Sequence, residues 1–446
     1  MNNVLSNLPD LQLESRGFGL ISGEQIEKFD HQQDEFQSIK TNGWEVVFSD
    51  SREGPLIRFY LGINRGTNLL LIPPDFNRSQ IESLTKTLGH FFPEGGEGYA
   101  AFLTSGSSGQ PKAIVHRHES LVLAASKILA RYPSLESAKF HHLFPSHYMA
   151  GILNGLLVPW LGGGGLLLDQ VFNFSTPYSI GANIEKYKTS AAWLSPTMMK
   201  TLTETWRSKK APPKLWSFVF SATGPLGDQV RDDFDSVFGT QTVNTYGTTE
   251  LLFISSEITK SSKVFAGVPF PGVQVALADT PANEFSPQKT LVVESDTTCV
   301  GIFSYNEPSG TYEPTFWPSD GPIDTRDTAS IYKDGLISIS QRADDIVVLG
   351  GVNYSLAKIE SVALAFPGVT ACSAFAPFGA DVHDLHLAFE VNEGNTTFSE
   401  PEFAEYLDIT LKYSSPRRRT RMALPRTHSG KINRQEVMRV CLEAGS

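Results

Sequence analysis

The sequence predicts an α/β protein: a large N-terminal domain of α/β layers with a β-rich subdomain, then a small C-terminal α+β domain. Three observations carry this. Strand-like and helix-like runs alternate from Ala191 to Asn244, which argues for substantially parallel sheets. From Gly267 to Ile339 the texture changes to short strands and turns. Near Gln341 a strand–helix–strand unit begins that is long enough to fold as a domain. At 446 residues the chain exceeds what one hydrophobic core normally supports, so two domains are expected, 1–341 and 342–446.

The elements follow in order. Residues 1–45 are polar and show no readable period. Strands are expected at Trp44–Phe48 and Asn68–Ile72, and helices at Arg78–Phe91 and Glu119–Arg131. The apolar stretch Met149–Leu168 approaches membrane-span length, but Asn154, Pro159 and Gly162–Gly165 would break a spanning helix. It reads as a buried helix, a glycine turn and the strand Leu166–Leu168, with no membrane partner. Strands at Ala191–Leu194, Trp216–Phe220 and Gln241–Asn244 alternate with helices at Thr197–Leu202 and Asp228–Val237. In the C-terminal part we expect strand Ile346–Leu349, helix Leu356–Phe366 stopped by Pro367, strands Ala371–Ala376 and Leu385–Val391, and a helix near Pro401–Leu411. A basic loop holding Arg417, Arg418, Arg419 and Arg421 follows.

Composition narrows the function classes. Hydrophobic residues at 40% and charged residues at 19% describe an ordinary globular protein. A formal charge of −11 argues against general nucleic-acid binding. Cys299, Cys372 and Cys441 lie far apart without a CxxC, so neither disulfides nor cysteine-bound zinc is expected, and a reducing cytoplasm fits. The N-terminus lacks a basic region followed by an apolar core, so no signal peptide is expected. His141, His142 and His147 have no carboxylate or cysteine at ligand spacing and are not read as a metal site.

The run Thr104-Ser105-Gly106-Ser107-Ser108-Gly109-Gln110-Pro111-Lys112 follows the apolar strand Tyr99–Leu103. A loop so rich in backbone N–H and hydroxyl donors, closed by a lysine, suits a polyphosphate whose charge moves. It is not the usual nucleotide P-loop, because Pro111 precedes the lysine and Ala113–His116 continue as a strand rather than a helix. Four further segments follow: Ser221-Ala222-Thr223-Gly224-Pro225-Leu226, Tyr246-Gly247-Thr248-Thr249-Glu250, Thr325-Arg326-Asp327 with Gln341-Arg342-Ala343-Asp344-Asp345, and Pro425–Arg434 around Gly430-Lys431.

In this order, over about residues 95 to 440, the five segments resemble the signatures of adenylate-forming enzymes: acyl-CoA synthetases, carrier-protein adenylation domains and luciferases. Within that superfamily the chain is most similar to short acyl-CoA ligases such as o-succinylbenzoate–CoA ligase. The resemblance implies that ATP is attacked at its α-phosphorus by a carboxylate, that CoA then takes the acyl group, and that Mg²⁺ assists. It assigns Lys112 and the hydroxyls and amides of Thr104, Ser105, Gly106, Ser107, Ser108 and Gly109 to the phosphates. Thr223, Gly224, Pro225, Asn244, Thr245 and Tyr246 fall to the adenine side, Thr249 to the α-phosphate and Glu250 to the metal. Asp327 and Arg342 would hold the ribose, and Ile339 would line the nucleotide site. Lys431 would bridge the α-phosphate and the attacking carboxylate, and the small domain would be mobile, rotating about Asp344 between half-reactions.

Departures from the pattern are specific. Arg326 and Gln341 stand where glycines are usual, Tyr148 takes the place of a pocket histidine with His147 beside it, and the segment before the phosphate loop is short. Leu349–Tyr354 resembles the Ser-Gly-Gly-Glu-Asn-Ile-Tyr of such ligases. The arginine run is either a solvated loop or a contact for the CoA 3′-phosphate or an acidic carrier protein. The leading expectation is a ligase joining an aromatic or medium-sized carboxylic acid to CoA. The alternative is an adenylating enzyme that loads a phosphopantetheinyl carrier protein or an amine. A non-catalytic adenylate-binding protein is the remote third, disfavoured by intact Lys112, Glu250, Asp327, Arg342 and Lys431.

Overall fold

The computed structural model describes residues 8–9, 11–15, 19–22, 38–48, 51–73, 76–95, 98–105, 111–173, 175–207, 209, 212–258, 263–279, 289–318, 321–342, 346–349, 352–377, 385–391, 398–426 and 432–444. Two compact units emerge: residues 1–276, 292–323 and 331–338 form one, and residues 277–291, 324–330 and 339–446 the other.

In the first unit two sheets are built from alternating residues. A seven-stranded sheet runs Thr311–Phe316, Gly301–Asn306, Pro111–Arg117, Tyr99–Ser105, Leu69–Leu71, Trp44–Val47, Ser38–Thr41. A nine-stranded sheet runs Val268–Pro269, Leu252–Ser256, Thr242–Thr248, Phe218–Ser221, Ala191–Leu194, Phe140–His142, Leu166–Leu168, Gln12–Ser15, Gly19–Ser22. Its six strands from Thr242–Thr248 to Gln12–Ser15 are parallel. Successive strand residues point to opposite faces, and the cores follow that period. Leu69, Leu71, Ala100, Phe102, Ala191 and Trp193 join one core, which also takes in helices Glu53–Arg65 and His118–Arg131. Leu70, Ile72, Ala101 and Leu103 join a second, under helix Arg78–Phe91. Ala192, Leu194 and Val219 join a third, under helices Thr176–Tyr187, Pro196–Trp206 and Asp228–Phe238. Helices therefore flank and separate the two sheets.

Most expected elements are present, with shifted ends. The apolar stretch is a helix from Met149 to Leu161 whose middle, Leu153–Leu157, has π geometry, then the strand Leu166–Leu168. Among the described residues no helix is long and apolar enough to cross a membrane. Three helices have no counterpart in the sequence reading: Glu53–Arg65, Thr176–Tyr187 and Arg434–Ala444. The first is buried from Gly54 to Ile63, so it shows no polar face, and Pro55 and Gly62 read as breakers. Proline is tolerated there because it sits in the first turn, where its missing N–H costs nothing.

The second unit centres on a three-stranded sheet, Val369–Phe375, His386–Val391 and Arg418–Arg421. One face packs on helices Leu356–Ala365 and Glu400–Leu411, and the other on Arg434–Ala444 through Val437 and Cys441. The expected basic loop is corrected here: Arg418–Arg421 form a strand, parallel to His386–Val391. Arg419 is held by Asp408, whose carboxyl lies below its usual range chiefly because it accepts a hydrogen bond from Ser415.

Candidate active site

In the first unit the parallel strands share one carboxyl end, where open α/β sheets bind ligands. The segment Leu143–Tyr148 leaves strand Phe140–His142 there, and Ala222–Pro225 leaves Phe218–Ser221. Thr223 is exposed and adopts a left-handed φ of 69°, a strained conformation for a β-branched residue. Gly224 and Pro225 beside it are also exposed.

Strand Thr242–Thr248 carries the next group. The Thr245 hydroxyl donates to the Ser221 carbonyl at 2.8 Å, fixing the two strand ends together. Asn244 is buried; its Nδ2 donates to the Phe265 carbonyl at 2.9 Å, while its Oδ1 has no partner among the described residues. A buried amide oxygen left open wants a donor such as an exocyclic amine. Behind it the Asn244 N–H donates to Glu257 at 3.0 Å, and Glu257 pairs with the fully buried Arg231 at 3.2 Å. Tyr246 is half-buried, and a register shift follows it at Gly247. A Cβ on Gly247 would lie 2.1 Å from the Leu252 carbonyl oxygen, so only glycine fits that bulge.

Beyond the strand, three successive carbonyls are held from outside. His116 Nε2 lies 2.7 Å from the Thr249 oxygen, the Cys299 N–H donates to Glu250 at 2.8 Å, and the Thr297 hydroxyl donates to Leu251 at 3.0 Å. The half-buried side chains of Thr249 and Glu250 sit on this pinned turn. Burial, then the Glu250 charge, pushes the Cys299 thiol up to about 12.

His116 belongs to the strand carrying Lys112. That strand pairs antiparallel with Tyr99–Ser105, placing Thr104 opposite Lys112, and Lys112 also faces Ser304 on its other side. Gly106, Ser107, Ser108 and Gly109, which join the two strands, lie outside the described residues, as does the Ser105 side chain.

The His147 and Tyr148 rings lie with centroids 4.7 Å apart, tilted by 36°, at the start of helix Met149–Leu161. Their segment is anchored by Arg52, which no sequence signal marks, and by His142, which the sequence offers only as a rejected metal ligand. Arg52 donates to the Phe144 carbonyl at 2.7 Å and to His142 Nδ1 at 2.8 Å, and His142 Nε2 donates to the Gly151 carbonyl at 2.9 Å. Burial, with Arg52 second, pushes His142 down to about 3, so it is neutral. Arg52 sits just ahead of the helix that the sequence hid.

The second unit holds the ribose-side candidates. Asp327 follows Arg326, whose φ is 59°, the conformation that favours the glycine usual at that place. The Asp327 N–H donates to the Thr325 hydroxyl at 3.2 Å, and that hydroxyl donates to the Leu291 carbonyl at 2.9 Å. Ile339 lies half-buried on strand Ile337–Arg342. The Arg342 side chain, Asp344 and Lys431 lie outside the described residues.

Among the described residues no three His, Cys, Asp or Glu side chains gather as an all-protein metal cage. Mg²⁺ does not require one, because it takes most of its ligands from phosphates and water and needs one or two carboxylates. Glu250, half-buried beside the Thr249 hydroxyl on a rigid turn, suits that role.

With that geometry in place, comparisons with known proteins agree. Residues 93–291 match the AMP-binding enzyme family. The malonate–CoA ligase of Arabidopsis thaliana is 25% identical over 417 residues, covering 83% of this chain and 66% of that protein. The acetyl-coenzyme A synthetase of Bacillus subtilis (strain 168) is 23% identical over 351 residues, covering 76% and 61%. The chain thus spans less than two thirds of these relatives' length. Among solved structures, ATP-bound MatB from Rhodopseudomonas palustris superposes with a TM-score of 0.75 at 18% identity, covering 99% of both chains. The o-succinylbenzoate–coenzyme A synthetase of Bacillus subtilis in complex with AMP gives 0.70 at 15%, covering 96% and 95%. Residues 93–291 thus match the AMP-binding enzyme family, and the chain shares the fold of ATP-bound MatB and of the o-succinylbenzoate–coenzyme A synthetase.

Proposed function

We propose that the protein activates a carboxylic acid with ATP and passes the acyl group to CoA. A carboxylate oxygen attacks the α-phosphorus, the bond to the β-phosphate oxygen breaks, and pyrophosphate leaves. The thiol sulfur of CoA then attacks the acyl carbon and AMP leaves. The observation that carries this reading is the junction of two segments: the hairpin bearing Lys112 is hydrogen-bonded to the turn bearing Thr249 and Glu250. Two anions must approach each other in the first step, so charge neutralisation at that junction is the main catalytic task.

In this reading Lys112 and the loop after Thr104 hold the β- and γ-phosphates, Thr249 meets the α-phosphate, and the open Asn244 Oδ1 accepts from the adenine amine. Mg²⁺ on Glu250 would neutralise the triphosphate. Asp327 and Arg342 serve the ribose. Residues 342–446 act as a lid that rotates about Asp344, bringing Lys431 in for adenylation and withdrawing it for thiol attack. His147 and Tyr148 border the acyl pocket. A cytoplasmic location is consistent with this chemistry.

The test incubates the protein with Mg·ATP and malonate, acetate, 4-coumarate or o-succinylbenzoate, with and without CoA, recording pyrophosphate release and product mass. A CoA thioester is the expected product. An acyl-adenylate that persists in CoA would move the acceptor to a carrier protein or an amine. Absence of ATP binding would overturn the reading.

A further inference from the structure

We infer that His116 is a positioning residue: it sets the turn carrying Thr249 and Glu250 against the hairpin carrying Lys112, so that one triphosphate and its metal engage both. The inference rests on the nucleotide-site reading above and concerns a residue outside the family signatures.

The imidazole is fully buried. Its Nε2 lies 2.7 Å from a carbonyl oxygen, an acceptor only, so the ring is the tautomer with its proton on Nε2. The ring is neutral, pushed down to about 4 by burial. Among the described residues Nδ1 has no partner, and the contact to Thr249 is the polar bond that holds the ring. The three carbonyls of the turn are pinned by different means. Glu250 is held by a backbone N–H at Cys299 and Leu251 by the Thr297 hydroxyl, both from the segment that enters strand Gly301–Asn306. Only Thr249 is held by a side chain of the lysine-bearing strand, four residues beyond Lys112. Backbone pairing already fixes that strand against its neighbours: Val115 accepts from the Val300 N–H and Lys112 lies opposite Ser304. His116 thus transfers a rigid register to the turn that carries the half-buried Thr249 and Glu250 side chains. A catalytic group displaced by even an ångström loses much of its effect, which is why such supports matter.

The test compares His116→Gln with His116→Asn. A glutamine amide nitrogen reaches the place of Nε2, whereas an asparagine amide reaches only that of Nδ1 and leaves the Thr249 carbonyl open. Binding of Mg·ATP, of adenosine and of AMP is measured by calorimetry, with Mg²⁺ titrated at fixed ATP. For His116→Asn we expect Mg·ATP binding weakened about tenfold, the scale of one lost buried hydrogen bond, and a raised Mg²⁺ requirement. Adenosine binding should change less than about twofold, and His116→Gln should restore most of the loss. Equal weakening of adenosine and Mg·ATP would overturn the inference, as would His116→Gln behaving like His116→Asn. If His116→Asn does not fold, His116→Leu supplies the same open carbonyl without a second buried amide, and the same comparison decides. A wild-type protein that binds no Mg·ATP would instead refute the functional reading.

Discussion

Acidification should unfold the first unit well before its carboxylates are neutralised. His116, His118 and His142 are buried and held down to about 4, 4 and 3, in each case chiefly by burial. Unfolded, each would titrate near 6.5. The folded state therefore resists protons that the unfolded state takes up. Stability is complete above 6.5 and falls as pH drops through the window from 6.5 to the folded values. Each pH unit below 6.5 costs about 1.4 kcal/mol per histidine, so pH 5 costs about 2 kcal/mol each and about 6 kcal/mol for the three. That is comparable to the whole stability of an ordinary domain. Glu204 and Glu257 oppose the trend, because burial raises both and the folded state takes up their protons before the unfolded chain does as pH falls. The assay is guanidinium unfolding followed by tryptophan fluorescence at pH 7.5, 6.0 and 5.0, with His118→Phe as the control. The wild-type midpoint should fall steeply, and the control should lose about a third of the slope. A midpoint flat from 7.5 to 5.0 would refute the claim that these rings are neutral and sealed.

Arg231→Leu should cost about 3–5 kcal/mol in the same unfolding assay, because it leaves the Glu257 charge buried without its cation; a loss below about 1 kcal/mol would mean that water reaches the pair. Arg326→Gly should be neutral or stabilising by up to about 1 kcal/mol, since relief of the left-handed φ offsets the freedom glycine adds to the unfolded chain. A clear destabilisation would show that the arginine side chain earns its place. Lys431→Ala should abolish pyrophosphate release yet spare thioester formation from a supplied acyl-adenylate and CoA. Equal loss of both half-reactions would end the proposed division of labour.

What the sequence showed depended on where its signal lay. Strands buried on both faces, such as Leu69–Leu71 and Ala191–Leu194, stood out as short apolar runs between turns, and so did amphipathic helices such as Asp228–Phe238. The helix Glu53–Arg65 did not, because burial on all sides erases periodicity and its proline and glycines read as breaks. The arginine run read as a loop because charge masked its period, whereas pairing with His386–Val391 makes it a strand. At the site, the residues proposed to meet ligand were legible from the resemblance of the five signatures. Their supports were not: Arg52, His116, His142 and Glu257 act through contacts 9 to 133 positions apart in sequence or through buried pairings, and one chain carries no local pattern for those.

The π segment Leu153–Leu157 has a consequence for how this protein can change. Such a segment amounts to one residue more than an α-helix would use for the same turn. Deleting a residue there would restore regular α-helical hydrogen bonding while leaving the flanking helical turns in their present rotational register. Tyr148 and Met149 precede the segment, while Val158, Pro159 and Trp160 follow it. The helix beside the His147–Tyr148 pair can therefore lose one residue without rotating Val158, Pro159 and Trp160 relative to that pair. Lineages descended from this chain have an evolutionary step available to them that leaves the strands, the pinned turn and the lysine hairpin untouched.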